Sequence, residues 1–262
     1  MAKKRRKQKR IFNCDPSRNT QNDWQYQHAV AARAPKAATI PTSKDLRASW
    51  WKIGDQGSTG SCVGWASADS MLRWHFIKAG RLKKDQSLSV RFQWMASKET
   101  DTLVTWATTF IDDSGTNLKS VLDIARKYGA VEESLLPFNG GLSPLSEEVF
   151  YGKAAALKIS SYYNLIRGNK LTNFRNWIAN NGPVMVRLDC DRTWDRIGRD
   201  GILEKYIAST ANGGHAVALV GYTKDYFIVR NSWGTSWGDK GYAYASNEYV
   251  QAAFTEGYGV ML

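Results

Sequence analysis

Residues 55–66 read DQGSTGSCVGWA, and the lone cysteine they carry, Cys62, stands where a polar turn gives way to a helix. Gly57 and Gly60, with Ser58, Thr59 and Ser61, make the turn. The run that follows, VGWASADSMLRWHFIKA, has no Gly after Gly64 and no Pro before it stops at Gly80, which predicts a helix of four to five turns. A cysteine in the first turn of a helix meets unpaired backbone N–H groups and the positive end of the helix dipole, and both favour the nucleophilic thiolate. On this stretch alone, a buried cysteine packing as a small hydrophobe is the stronger reading.

The 262-residue chain, 43% hydrophobic and 23% charged, has a globular balance and enough length for one large domain or two lobes. There is no run of eighteen apolar residues to span a membrane. The start, MAKKRRKQKR, has seven basic residues but no apolar run after them, so it does not read as a secretory signal. Removing those seven from the formal charge of +12 leaves +5, so the basicity is concentrated in a tail. Such a tail reads as a solvated extension or, in residues 3–10, as a contact for a polyanion or nucleic acid.

Three cysteines, Cys14, Cys62 and Cys190, are too few for a disulfide framework. A Cys14–Cys190 bridge is conceivable, but a reducing compartment is the simpler reading. No C-x-x-C, H-E-x-x-H or Gly-rich phosphate loop is present, so neither a metal nor any other cofactor is predicted.

Along the chain, residues 1–39 read as a basic extension, partly disordered, and residues 40–262 as the folded body. LSVRFQWMASKET has Leu88, Phe92, Met95 and Ala96 at helical spacing, and NLKSVLDIARKYG has Leu118, Val121, Leu122 and Ala125 on one face before Gly129. The segment TDTLVTWATTFIDDSGT reads as an irregular loop. Residues from about 46 to 150 therefore form a mainly helical lobe. AALKISSYYNL, PVMVRLDC, GGHAVALVGY, DYFIVRNSW and GYAYAS then read as strands, with TNFRNWIANNG as a helix, so residues from about 151 to 262 form an antiparallel β lobe. An α+β fold with a cleft between two lobes follows.

A cysteine nucleophile needs a base, and the base needs an orienting partner. Among the three histidines, His28 lies in the extension and His75 sits mid-helix beside Trp74 and Phe76, where a core or surface role is the natural one. His215 opens a β-lobe strand after Asn212, Gly213 and Gly214, so it can face the cysteine helix across the cleft. Asn231 ends the next strand and can hold one imidazole nitrogen. Gln56, six residues before Cys62, can supply an N–H to an oxyanion beside the backbone N–H of Cys62.

At these residues the chain resembles the papain-like cysteine proteases. DQGSTGSCVGWA resembles the cysteine box of that family, GGHAVALVGY its histidine box, and NSWGTSWGDKGYAY its Asn-Ser-Trp-Gly box, and the likeness runs over roughly residues 40–250. The resemblance implies a papain-like fold, a peptide substrate, Cys62 as nucleophile, His215 as general base and acid, Asn231 as orienter and Gln56 as oxyanion donor. It further implies that Trp233 shields the Asn231–His215 hydrogen bond, that Gly115 pairs its backbone with an extended substrate, and that Gly214 lines the far side of the cleft.

The departures also carry meaning. Thr59 stands where the family commonly has a disulfide cysteine, and the cysteine expected near residues 112–114 is absent, which agrees with cytoplasmic or other reducing surroundings. The extension before Ile40 is shorter than the family's inhibitory prosegments and lacks their helical pattern, so zymogen control is not implied. Two rivals to hydrolysis stay open: a transpeptidase or ligase resolving the same thioester with an amine, and a non-catalytic binding module guided by the basic tail.

Overall fold

The computed structural model describes residues 10–32, 39–100 and 114–262. Helix α1 (Tyr26–Ala31) and the short strand β1 (Lys44–Asp45) precede the cysteine loop. From Cys62 the chain forms one rod: α2 (Cys62–Gly64), a π-helical stretch (Trp65–Leu72) and α3 (Arg73–Lys78). Val63, Ala66, Ala68, Met71, Leu72 and Phe76 are all buried along it, so the rod is a central element rather than a surface helix. It stops where the sequence predicts, at Gly80, whose φ of 71° is the left-handed conformation that glycine adopts without steric cost.

Helices α4 (Val90–Thr100) and α5 (Leu118–Lys127) complete the helical lobe against this rod. The Asn117 side chain accepts from the Ser120 N–H at 3.0 Å and caps α5, whose predicted apolar face of Leu118, Val121, Leu122 and Ala125 is buried. The irregular loop predicted before it falls, for residues 101–113, outside the described residues. Helix α6 (Glu147–Ala155) has no counterpart in the sequence reading. Only Ala154 of α6 is buried, so it carries no apolar stripe to be read.

The second lobe contains β2 (Ser161–Asn164), α7 (Lys170–Asn180), β3 (Val184–Cys190), β4 (Ile202–Leu203), β5 (Gly213–Tyr222), β6 (Tyr226–Arg230), β7 (Tyr242–Ser246), α8 (Asn247–Ala253) and β8 (Phe254–Met261). Among the described residues these form a sheet in the order β2-β8-β3-β5-β6-β7-β4, with β1 added to β5. All pairs are antiparallel except β4 with β7. The α+β, two-lobed architecture is therefore as the sequence predicts. The two-residue strands β1 and β4 were not foreseen, and two longer strands also depart from the reading. The expected AALKISSYYNL strand narrows to β2, because its first alanines close α6. Strand β8 was not foreseen: Gly257 and Gly259 interrupt its pattern, since a Cβ at Gly259 would lie 2.0 Å from the Trp177 ring.

One buried ion pair crosses between the lobes. Asp69, two turns along the cysteine rod, pairs with Arg230 at the end of β6, and Arg230 also donates to the carbonyls of Trp51 (3.3 Å) and Lys52 (2.8 Å). Arg73 joins the same carboxylate at 3.4 Å. The rod that begins at Cys62 is thereby fixed to the strand that ends beside Asn231.

Candidate active site

The cysteine loop is shaped by its own short polar residues. The Thr59 hydroxyl donates to the Gln56 carbonyl at 2.7 Å and lies 2.6 Å from the Ser61 hydroxyl. The loop is then clamped to the stretch after β6: the Gln56 N–H donates to the Ser232 carbonyl at 2.8 Å, and the Gly234 N–H to the Gly54 carbonyl at 3.0 Å. The Gln56 side chain repeats the link, its Oε1 accepting from the Ser232 hydroxyl at 2.8 Å and its Nε2 donating to the Thr59 carbonyl at 2.9 Å. One hydrogen of the Gln56 amide is uncommitted, and the group is held rigidly enough to present it.

His215 lies on β5 opposite Leu188 of β3, fully buried. Its Nε2 is 2.9 Å from Asn231 Oδ1. The same Oδ1 accepts from the Ser232 N–H at 2.8 Å. That N–H requires an acceptor, so the oxygen of the amide faces the ring, and Nε2 must be the protonated nitrogen. Nδ1 has no hydrogen-bond partner, and the His215 ring is among the groups that lower the Cys62 thiol. Aromatic rings wall this pair off from water. Trp233 lies over the imidazole with centroids 4.8 Å apart, and Trp194 meets it edge-on at 5.6 Å.

Cys62 is completely buried, yet its thiol is held well below the ordinary thiol range. The Cys14 side chain hydrogen-bonds to its sulfur; against the opposing effect of burial, the His215 ring and the Ala216 N–H further favour the thiolate. Cys14 moves the other way, pushed up by burial and by donating to Cys62. A sulfur held toward the thiolate, an imidazole and an amide fixing one of its nitrogens are chemically able to serve as a nucleophile, a base and an orienter.

Gly115 and Gly214 both abut the chain's own N-terminal segment. A Cβ at Gly115 would lie 1.4 Å from the Asn13 carbonyl oxygen, and one at Gly214 would lie 2.0 Å from that of Cys14, so neither position admits a side chain while the segment is in place. Cys14 donates its N–H to the Gly214 carbonyl at 2.9 Å, Asp15 to the Thr116 carbonyl at 3.0 Å, and Ser17 to Glu256 at 2.8 Å. Phe12 packs edge-on against His215 and Trp233. The described part of the extension therefore threads the cleft, although its length and pattern gave no sign of this. Arg10, the last residue of the basic run, pairs with Asp55 at 3.0 Å and donates to the Trp233 carbonyl at 3.0 Å, so it is engaged within the chain. Residues 3–9 of the predicted polyanion contact lie outside the described residues.

Sequence reasoning missed Phe12, Cys14, Arg187 and Trp194. Arg187 Nε donates to the Cys14 carbonyl at 2.9 Å and its guanidinium pairs with Asp189 at 2.9 Å. Trp194 is held through its Nε1–H to the Tyr249 hydroxyl at 3.0 Å, and the buried Asp191 accepts from that hydroxyl at 2.7 Å. Arg187 lies within the predicted PVMVRLDC strand, where nothing set it apart, and Phe12, Cys14 and Trp194 belong to no periodic pattern; the one available signal was the density of tryptophan around the boxes. His28 serves its own helix, its Nδ1 accepting from the Gln25 N–H at 2.9 Å. His75 is buried, and desolvation pushes it down to about 4. Cys14, Cys62 and Cys190 are all free, so the conceivable Cys14–Cys190 bridge is not formed. Among the described residues no group of His, Cys, Asp and Glu could hold a metal, and no helix is long and apolar enough to cross a membrane.

Comparison with known proteins agrees with this geometry. The model of the papain family of cysteine proteases matches residues 40–256. A cathepsin L-like proteinase of Fasciola hepatica is 27% identical over 222 residues, covering 82% of this chain and 63% of the relative. Cathepsin K of Mus musculus is 27% identical over 236 residues, covering 87% of this chain and 64% of the relative. The chain thus spans a little under two thirds of the length of these relatives. Among solved structures, xylellain, a cysteine protease from Xylella fastidiosa, superposes with a TM-score of 0.77 at 21% identity over 98% of both chains.

Proposed function

We propose that this chain, which belongs to the papain family of cysteine proteases, is a thiol endopeptidase that hydrolyses polypeptides through Cys62 and His215. The Cys62 thiolate attacks the peptide carbonyl, and the Cys62 N–H with the Gln56 amide stabilises the oxyanion. His215 protonates the leaving amine and then draws a proton from the water that hydrolyses the thioester. Asn231 keeps Nε2 as the protonated nitrogen, and Trp233 keeps water from the Asn231–His215 bond. Gly115 and Gly214 offer backbone to an extended substrate once the N-terminal segment leaves. The observation that carries the reading is the 2.9 Å contact of His215 with Asn231 beside a sulfur held toward the thiolate form. Support also comes from the cathepsins among the relatives and from the fold likeness to a Carica candamarcensis cysteine protease solved with E-64 (TM-score 0.62, 23% identity).

Cys62→Ala in the reduced full-length chain is expected to abolish cleavage of a peptide library that the parent cleaves. Full activity in that variant overturns the reading. For residues 3–10, attachment to a polyanion is expected to weaken with salt and to vanish on deleting residues 2–10; an unchanged salt slope contradicts it. A reducing compartment is proposed as the working place, supported by Thr59 at a usual disulfide position and by three free thiols.

A further inference from the structure

Two of the three cysteines meet inside the cleft. Cys14 and Cys62 are buried in one cluster with their side chains interacting, Cys62 fully buried and Cys14 2% exposed, and the Cys14 thiol also lies 3.9 Å from the Asp15 carbonyl oxygen that accepts from it. Cys14 belongs to the N-terminal segment and Cys62 to the helix 48 positions later, so the contact is made by the fold and not by chain proximity. The backbone around Cys14 is fixed on every side. Its N–H is bonded to Gly214 at 2.9 Å and its carbonyl to Arg187 at 2.9 Å; the next N–H is bonded to Thr116 at 3.0 Å. Arg10 before it and Ser17 after it are bonded to Asp55 and Glu256. Holding the Cys14 carbonyl on Arg187 commits that oxygen away from Gln56, so the peptide after Cys14 is not presented for cleavage. What is presented to the nucleophile is a sulfur.

We propose that Cys14 and Cys62 form a reversible disulfide site, oxidised by a low-molecular-weight disulfide such as glutathione disulfide, which locks the N-terminal segment over the nucleophile. The reaction begins with the segment lifted, because the closed cleft leaves neither sulfur accessible. The Cys62 thiolate attacks one sulfur of the oxidant, forming a mixed disulfide and releasing one small thiolate. The segment re-seats, and Cys14 attacks the Cys62 sulfur and expels the second small thiolate, which takes up the proton that Cys14 gives up. The balance is two protein thiols and one small disulfide giving one protein disulfide and two small thiols. Both sulfurs sit in one buried cluster, and the link brings them to a bond length of about 2.05 Å. Cys190 lies on β3 in the separate core of the β lobe, and takes no part.

A full-length chain, equilibrated in glutathione and glutathione disulfide, quenched with acid and mapped without reduction, tests this. In the parent, the linked Cys14–Cys62 peptide is expected to exceed glutathionylated Cys62 at least tenfold, and dithiothreitol is expected to restore both free thiols. Cys14→Ser is expected to leave Cys62 as a persistent mixed disulfide, and Cys190→Ser to link as the parent does. A parent that accumulates glutathionylated Cys62 without the link, or that links through Cys190, overturns the inference. The mass readout needs no peptidase activity: a link formed in a chain that cleaves nothing when reduced removes the proposed function alone, and cleavage without a link removes this inference alone.

Discussion

Phe12 stands edge-on to Trp233, with ring centroids 5.7 Å apart and planes at 71°, and the same ring meets His215 at 6.2 Å. A residue of the N-terminal segment thus rests on the two side chains that frame the nucleophile. Edge-to-face aromatic pairs contribute about 0.5–1.5 kcal/mol beyond their burial. Phe12→Ala is therefore expected to raise the rate of Cys62 alkylation by iodoacetamide in the reduced chain roughly tenfold, the factor that about 1.4 kcal/mol represents. An unchanged rate contradicts a segment that seals the cleft.

Asn231 accepts from both the His215 ring and the Ser232 N–H. Asn231→Ala removes the group that fixes which ring nitrogen carries the proton, so kcat is expected to fall by roughly 10²-fold. KM is expected to change little, because Asn231 touches the ring and not the substrate. A variant that raises KM with kcat intact contradicts this role.

The Asp69–Arg230 pair is shut between the lobes. Removing one partner of such a pair leaves a buried charge uncompensated, which costs about 3–5 kcal/mol. Urea titration of Asp69→Ala is expected to show a loss of that size, and Asp69→Leu combined with Arg230→Met is expected to recover part of it. A single substitution that shifts the midpoint no more than an exposed one contradicts the inter-lobe tie.

His75 is buried without charge, its protonation pushed down from 6.5 to about 4 by desolvation. Below pH 6.5 the unfolded chain takes up this proton and the folded chain does not, so stability falls as the solution is acidified from pH 6.5 toward pH 4. The full loss is about 3 kcal/mol at 1.36 kcal/mol per pH unit. His75→Leu is expected to flatten that part of the stability curve; an unaltered acid limb contradicts it.

The sequence was most informative where chemistry and turn residues coincide. DQGSTGSCVGWA, GGHAVALVGY and NSWGTSWGDKGYAY each hold a polar turn at the edge of a helix or strand, and the fold brings all three to Cys62. It was silent where contacts are made by backbone. Cys14 and Asp15 bond to Gly214 and Thr116 through main-chain groups that any sequence can offer, so nothing in the pattern of residues 10–17 marked them as cleft-bound. Strand β8 was hidden for a related reason: its glycines make room for Phe174 and Trp177 and so read as breaks. Trp194 sits on an irregular loop fixed by Asp191 and Tyr249, where periodicity has no meaning.

The central claim is that one sulfur, Cys62, does the chemistry. Titrating the reduced chain with a peptidyl electrophile, and following the site and extent of labelling by mass alongside residual peptide cleavage, tests it most directly. The account predicts that cleavage falls in a straight line to zero at one label per chain, all of it on Cys62. Cleavage that survives complete labelling of Cys62 contradicts it.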